Sequence, residues 1–464
     1  MSSIPGGRKL ACLYHASEWW LLRGHHWAYH VVSIAFLFAI VVLVYTIARR
    51  VGLARVWSLV IGAAIIVFPG ADSTRLWPVA SIGQYVIVLQ MTSLLVAILA
   101  LDRRWGWRSG ALHLLSALFA VLAMATYEIA VPLVAVQGVV YVAIFRDRRA
   151  VVRWMLDIGL VLVFIVYRLT LAPVDNSAFM VERTTSQLVA RAGALLEGAW
   201  NTWRYLYAPG AVLSYLIVVV LVAAVATALS QPLRDRLSRW WLLLVAAVVA
   251  AAACAGVFLT AEDLYLPVYA STYNRVNLPG TIPYVLAFIA IIGLAYELIR
   301  YWSRRTWAAS LTVLLVMTVV GVHQITVNSR HQDDWLSSWS IQEKTLPRMR
   351  AALQGVPSTA RVLGFDSPQW THEWIPVVAQ SWGLRGMLDY ETHVNPSFAS
   401  PFSEGVHCDR RGIEAEGTLA APYRDQAHPV YFMSPARGLS VHVASQRRCE
   451  HIVHAWGRAP LFAN

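Results

Sequence analysis

Span-length apolar runs recur from residue 27 to residue 326, and nothing constrains the fold of this chain more. A helix needs roughly 20 apolar residues to cross the hydrocarbon core of a bilayer. Inside lipid, only a helix or a closed barrel satisfies every backbone N–H and C=O. Ten segments meet or approach that length: about 27–48, 54–69, 80–101, 109–126, 128–145, 152–171, 210–229, 240–260, 281–300 and 307–326. The second is short, and the fourth and fifth are nearly continuous. The chain is 58% hydrophobic and 14% charged, against about 25% charged in a soluble domain. The expected fold is an all-α polytopic membrane bundle of about ten transmembrane helices, carrying a small C-terminal extracytoplasmic α/β or β domain.

The net charge of +12 does not point to nucleic acid, because the arginines sit in short clusters between apolar runs rather than in a basic domain. One set of alternate loops holds Arg49, Arg50 and Arg55; Arg103, Arg104 and Arg108; Arg146, Arg148, Arg149 and Arg153; Arg234, Arg236 and Arg239; and Arg300, Arg304 and Arg305. The other set is poorer in cations: Arg75, then none near 127, then Arg183, Arg191 and Arg204, then Arg275. Cytoplasmic loops are enriched in Lys and Arg, so the first set is expected inside and the second outside, in a multi-pass cell-membrane protein. The clusters also suit contact with anionic membrane lipid.

That threading gives a place to Glu128 in "MATYEIAVP" (124–132), which interrupts an otherwise apolar stretch from Ala111 to Phe145. A carboxylate at the bilayer centre costs roughly 2.5 kcal/mol or more. At a reversal between the fourth and fifth spans it lies instead at the outer surface. Two readings stand there: a hairpin-tip glutamate touching water, or a residue lining an outward cleft.

Two further outward segments mix acids, arginines and rings: "FPGADSTRLWPVASIGQ" (68–84), with Asp72, Arg75 and Trp77, and "TAEDLYLPVYASTYNRVNLPG" (260–280), with Glu262, Asp263, Tyr265, Tyr269, Tyr273 and Arg275. Such a mixture suits a sugar phosphate. Aromatic faces stack on sugar rings, carboxylates take hydroxyl protons and arginine pairs with phosphate. The alternative is ordinary interfacial decoration by Trp and Tyr belts with local ion pairs. Glu128 and Asp72 are the candidate catalytic groups, and Arg75, Trp77, Tyr127, Tyr273 and Arg275 the candidate substrate-binding groups. The longer outer loop contains "SQLVARAGALLEGAWNTWRYLY" (186–207), whose helical apolar spacing predicts an interfacial amphipathic helix, walling a cavity or packing on the bundle rim.

Three regions result: an outer segment 1–26, a transmembrane domain 27–327 and an outer domain 328–464. The amino-terminal segment, with Arg8, Lys9 and Arg23, is an unusual stretch to translocate, which raises the expectation of a preceding span. In the last region, 360–367, 428–434 and 439–445 read as short strands and 338–353 as a helix. Cys408 and Cys449 either form a disulfide, which that compartment permits, or remain two buried thiols. Cys254 reads as a small core residue. His407, His428, His442, His451 and His454 match no zinc spacing, so no metal site is assigned. A divalent metal is compatible with this reading but not required by it, and no cofactor is identified.

The stretch "GHHWAYHVVSIAFLFAIVVLVYTIARRVG" (24–52) resembles the second span of C-type integral-membrane glycosyltransferases, the class that includes protein O-mannosyltransferases. "FPGADSTRLWPVA" resembles the outer turn that follows, and "TYEIAVPL" a later outer turn with an acidic residue before an apolar, proline-containing helix. The resemblance covers roughly 24–340. It implies transfer of a sugar from a polyprenyl-phosphate carrier to a protein, lipid or glycan hydroxyl on the outer face. It also implies a catalytic acid in a first outer loop. That loop and the span before it have no counterpart here; Glu18, in "HASEWWLLRGHH", is the one acid in residues 1–26. The rival readings are a catalytically inactive membrane scaffold with an outer partner-binding domain, and a transporter or flippase. The last predicts paired inverted repeats and midplane charges, whereas the apolar runs show no convincing repeat and few charges.

Overall fold

The computed structural model describes residues 9–22, 25–77, 80–170, 183–261, 265–366, 368–372, 375–377, 384, 388, 398–402, 406–415 and 418–460. Contacts divide the chain into two units, 1–329 and 330–464.

In the first unit the helices are α1 (Lys9–Leu22), α2 (His26–Arg50), α3 (Arg55–Val67), α4 (Ser73–Leu76), α5 (Ser81–Leu101), α6 (Trp107–Thr126), α7 (Val131–Val136), α8 (Gly138–Phe145), α9 (Arg148–Thr170), α10 (Thr185–Tyr207), α11 (Ala211–Leu229), α12 (Gln231–Gly256), α13 (Thr281–Ser303) and the start of α14 (Thr306–Ala352). Short 3-10 turns lie at Pro69–Ala71, Glu128–Ala130 and Thr272–Asn277. Among the described residues, nine helical segments are long and apolar enough to cross a membrane.

The second expected span, already short in the sequence, falls below span length. Residues 54–69 yield only the 13-residue α3, about 20 Å at 1.5 Å per residue. Yet the chain has to travel as far as a full span here. Arg50, ending α2, pairs at 2.9 Å with Asp102, just past α5. Phe36 packs on Tyr85 well before those ends, so α2 and α5 run parallel. The segment between them therefore returns along their length, and it does so as α3 followed by the 3-10 turn Pro69–Ala71 and α4. The expected continuous fifth span, 128–145, is likewise broken into a 3-10 turn, α7 and α8. The break at Gln137–Gly138 falls where the Gln137 amide turns to Asp157 and where a Cβ on Gly138 would meet the Trp154 ring.

Small residues set the closest helix contacts, as expected where lipid supplies no hydrophobic drive between helices. Along antiparallel α5 and α6, Ser93 Oγ donates to the Ser116 carbonyl at 2.8 Å, and Ser109 Oγ to the Ala100 carbonyl at 3.0 Å. Along α12 and α13, Gly293 faces the Trp240 ring, while Cys254 Sγ donates to the Pro279 carbonyl. Trp57 of α3 joins Trp240 and Tyr296. Charges within the spans are few, as expected, and two of them, Arg153 and Asp157, are buried in α9 and paired at 2.9 Å.

These contacts sort the unit into two ends. Arg50, Asp102 and Arg149 gather at one, where Arg149 Nη1 reaches the Arg103 carbonyl, and Arg236 stacks on Tyr301 there. All the strongly basic loops lie at this end. The turns at 66–77, 127–130, 207–210 and 265–281 lie at the other.

The second unit holds the rest of α14 and a four-stranded sheet ordered β2-β1-β6-β7: β1 (Arg361–Gly364), β2 (Phe398–Pro401), β6 (Val430–Ser434) and β7 (Leu439–His442). β1 pairs parallel with β2 and β6, and β6 antiparallel with β7. A second, antiparallel sheet is ordered β3 (Val406–Cys408), β4 (Gly412–Ala415), β5 (Thr418–Pro422). The closing helix α15 (Gln446–Trp456) is bonded to β3 through a Cys408–Cys449 disulfide, Cα–Cα 6.0 Å. Phe365, Phe402 and Phe432 form the centre of its core.

Candidate functional site

The end opposite the basic loops is built by the three 3-10 turns. Its floor is the segment 69–76. Asp72 is 1% exposed. Its Oδ1 accepts from Asn274 Nδ2, while Asn274 Oδ1 accepts from the Ser73 amide at 3.2 Å. Asn277 Nδ2 donates to the carbonyls of Gly70 (2.8 Å) and Val268. Two asparagines of one turn thus tie residues 200 positions away into place, which a buried backbone without a regular partner requires.

Arg75 donates from Nη1 to the Ile66 carbonyl at 2.8 Å and from Nη2 to the Ile65 carbonyl at 3.0 Å. These are among the last carbonyls of α3, left without helical partners at its C-terminus. A guanidinium there satisfies them and complements the helix dipole. That geometry explains how α3 stops short and turns without stranded carbonyls.

Arg275 is enclosed by rings. Its Cζ lies 5.4 Å from the ring centroids of Trp77, Tyr265 and Tyr273, brought together from two distant segments. Its Nη2 lies 3.5 Å from the Tyr265 hydroxyl. Arg191 of α10, itself buried, donates to the Tyr265 carbonyl at 2.8 Å. The expected amphipathic helix over 186–207 is α10. It begins at a capping box between Thr184 and Gln187 and packs Leu195, Leu206 and Tyr207 into the core. Tyr205, near its end, stacks on Tyr269 at 3.9 Å.

Tyr127 ends α6 in extended backbone and Glu128 opens the next turn, both half-buried. A Cβ on Gly83 would meet Leu278 and Ile129. The turn, the start of α5 and the end of the Thr272–Asn277 segment therefore adjoin. Glu262 and Asp263 lie outside the described residues.

Glu18 is the residue whose importance sequence reasoning underrated. It is 8% exposed, and its carboxylate accepts from the Tyr14 hydroxyl (3.2 Å) and from Ser81 Oγ (3.3 Å) at the start of α5. His15 Nδ1 lies 3.5 Å away. Burial pushes the Tyr14 hydroxyl pKa well above its ordinary value, so it remains a donor. The i, i+4 spacing of Tyr14 and Glu18 was the available signal. Asn274 and Asn277 were also missed; nothing in their sequence surroundings distinguishes a structural clamp from a loop asparagine.

The structure therefore brings Trp77, Tyr273 and Arg275 into contact, and places Glu18, Asp72, Arg75, Tyr127 and Glu128 at the same end of the bundle. Among the described residues, no group of three or more His, Cys, Asp or Glu is arranged to hold a metal ion. No protein-family model, no curated protein and no solved structure matches this chain.

Proposed function

We propose that this chain is a membrane glycosyltransferase-like protein that takes a sugar from a polyprenyl-phosphate carrier and passes it to a protein or glycan hydroxyl on the outer face of the membrane. The observation that carries the reading is the ring-enclosed Arg275 at the same bundle end as half-buried Glu128, opposite the arginine-rich loops. The bias of Lys and Arg toward the cytoplasm supports reading that end as the outer one.

The chemistry follows from residue type. The acceptor hydroxyl oxygen bonds to the anomeric carbon as the bond from that carbon to the carrier phosphate breaks. The bonding pair leaves on the phosphate oxygen, and Glu128 takes the hydroxyl proton. Charge grows on the phosphate in the transition state, where a cation held rigidly by three rings stabilises it without reorganising. Tyr127, Trp77 and Tyr273 supply surfaces for the sugar. Asp72 and Arg75, clamped to backbone and asparagine groups, shape the floor.

The second reading, an inactive scaffold, has its own support: Asp72 and Arg75 both bond to the fold itself. The two readings part in membranes supplied with radiolabelled polyprenyl-phosphate sugars. Glu128→Gln and Arg275→Ala should each abolish transfer at unchanged expression. Wild-type rates in both variants reject the site, and no transfer by the wild-type chain from any carrier favours the scaffold.

A further inference from the structure

An apolar cavity lies at the opposite end from the proposed site. It has a volume of about 440 Å3, within the roughly 300–1,000 Å3 range of small-molecule sites. Its walls come from α2, α5, α7, α8, α12 and α13, with Ile47, Leu94, Val140, Ala247, Ala250 and Leu286 among them. Gln90 and Gln137 interrupt the apolar wall, and each amide nitrogen already donates one hydrogen bond: Gln90 Nε2 to Gln137 Oε1, and Gln137 Nε2 to Asp157.

Three properties of the rim identify the occupant. First, Arg146 and Arg239 line the cavity and are exposed. Neither is paired with a carboxylate among the described residues, whereas Arg50, Arg149 and Arg153 each have one. Second, Leu242, another lining residue, is 50% exposed, so the opening is apolar as well as cationic and meets the surface a bilayer would cover. Third, the depth fits one leaflet. From Arg239 to Ala250 along α12 is about 17 Å at 1.5 Å per residue, close to half the about 30 Å hydrocarbon thickness. A soluble anion has no use for the walls, and a neutral hydrocarbon has none for two unpaired guanidinium groups.

We infer that this cavity is a binding site for one anionic phospholipid of the arginine-rich leaflet, with an acyl chain between α8 and α12 and the phosphate on Arg146 and Arg239. The site stands apart from the proposed catalytic end and does not rest on the glycosyltransferase reading. Occupancy would fill a gap between α2, α8 and α12 that the side chains leave open.

Native mass spectrometry tests this on the full chain in neutral detergent, titrated with phosphatidylglycerol, phosphatidylcholine or a polyprenyl phosphate. The wild type should take up one phosphatidylglycerol in preference to phosphatidylcholine. Arg146→Gln with Arg239→Gln should weaken it about thirtyfold, from two cations near anionic headgroups. Arg146→Lys with Arg239→Lys, which keeps the charge, should retain most of the preference, and unchanged phosphatidylcholine uptake by the glutamine variant shows that it is folded. Ala250→Phe should reduce uptake of both phospholipids by filling the cavity. Equal affinity of the wild type for both phospholipids, or unchanged uptake in the glutamine and phenylalanine variants, overturns the assignment. Tighter binding of the polyprenyl phosphate than of phosphatidylglycerol overturns the choice of phospholipid.

Discussion

Arg153 Nη1 lies 2.9 Å from Asp157 Oδ1, one turn apart on α9, and the two side chains are 3% and 0% exposed. Asp157 also accepts from Gln137 at 2.8 Å, Arg153 Nη2 donates to Ser116 Oγ at 2.7 Å, and Ser116 bonds with Ser93. One ion pair thereby links α5, α6, the α7–α8 break and α9. Removing one partner of a buried pair leaves an uncompensated charge and costs roughly 3–5 kcal/mol, whereas replacing both by apolar groups is often neutral. Asp157→Ala should lower the melting temperature in detergent sharply, and Arg153→Met with Asp157→Leu should recover most of the loss. An unchanged melting temperature in Asp157→Ala removes the structural role. A stable double variant that loses the chain's function in cells would assign the pair a role beyond stability.

Packing between α12 and α13 rests on a missing side chain. A Cβ on Gly293 would overlap the Trp240 ring, which Trp57 also contacts edge-on. Overpacking of this kind costs about 1–3 kcal/mol. Gly293→Ala should be destabilised by that amount and show a shifted tryptophan emission. Gly159→Ala, at a helical glycine with open space around it, should be neutral or slightly stabilised, because alanine favours helix over glycine. Equal stability of the two variants would refute the packing argument.

The start of α9 carries a pH dependence outside the membrane spans. Asp147 Oδ1 accepts from the Ala150 amide at 2.9 Å. This bond, helped by Arg149 at 3.0 Å, holds the carboxyl below its ordinary pKa, against a smaller opposing effect of burial. A depressed folded-state pKa adds stability that is complete above the unfolded value, about 3.9, and is lost as pH falls through the folded value. Asp147→Asn keeps a capping acceptor without the charge. The stability difference between wild type and Asp147→Asn should therefore be flat above about pH 5 and shrink on further acidification. Asp147→Ala should cost about 1 kcal/mol at neutral pH, as for other lost caps. A difference that grows on acidification contradicts the assignment.

Most helices were legible because span length and apolarity are local properties of the sequence. The strands at 361–364, 430–434 and 439–442 were legible from the same kind of short-range pattern. What escaped depends on contacts between distant residues. The 13-residue α3 reads as a failed span until Arg75 is seen bonded to its last carbonyls and the Arg50–Asp102 pair fixes the direction of α5. Arg153 reads as a loop cation until its i+4 partner Asp157 is placed inside the bundle. At the candidate site, residue type alone selected Trp77, Tyr273 and Arg275, which the fold joins. Residue type could not tell that Asn274 would hold Asp72.

Sidedness is the prediction on which the proposed reaction depends. The structure divides unit 1 into an arginine-rich end and an end bearing Glu128 and Arg275. Membrane-impermeant maleimide distinguishes them when one cysteine is added at an exposed position in a Cys12→Ser background, in which Cys254 is buried and Cys408 and Cys449 are disulfide-bonded. Tyr269 is 42% exposed and stacks on Tyr205 beside the candidate site; Tyr269→Cys should label in intact cells. Gly106 is exposed in the Arg103–Arg108 loop; Gly106→Cys should label only after permeabilisation. The expectation follows from the excess of cations that marks cytoplasmic loops. The reverse pattern would put Glu128 and Arg275 in the cytosol, out of reach of an outer-face sugar donor, while the buried contacts among α2, α3 and α5 would stand unchanged.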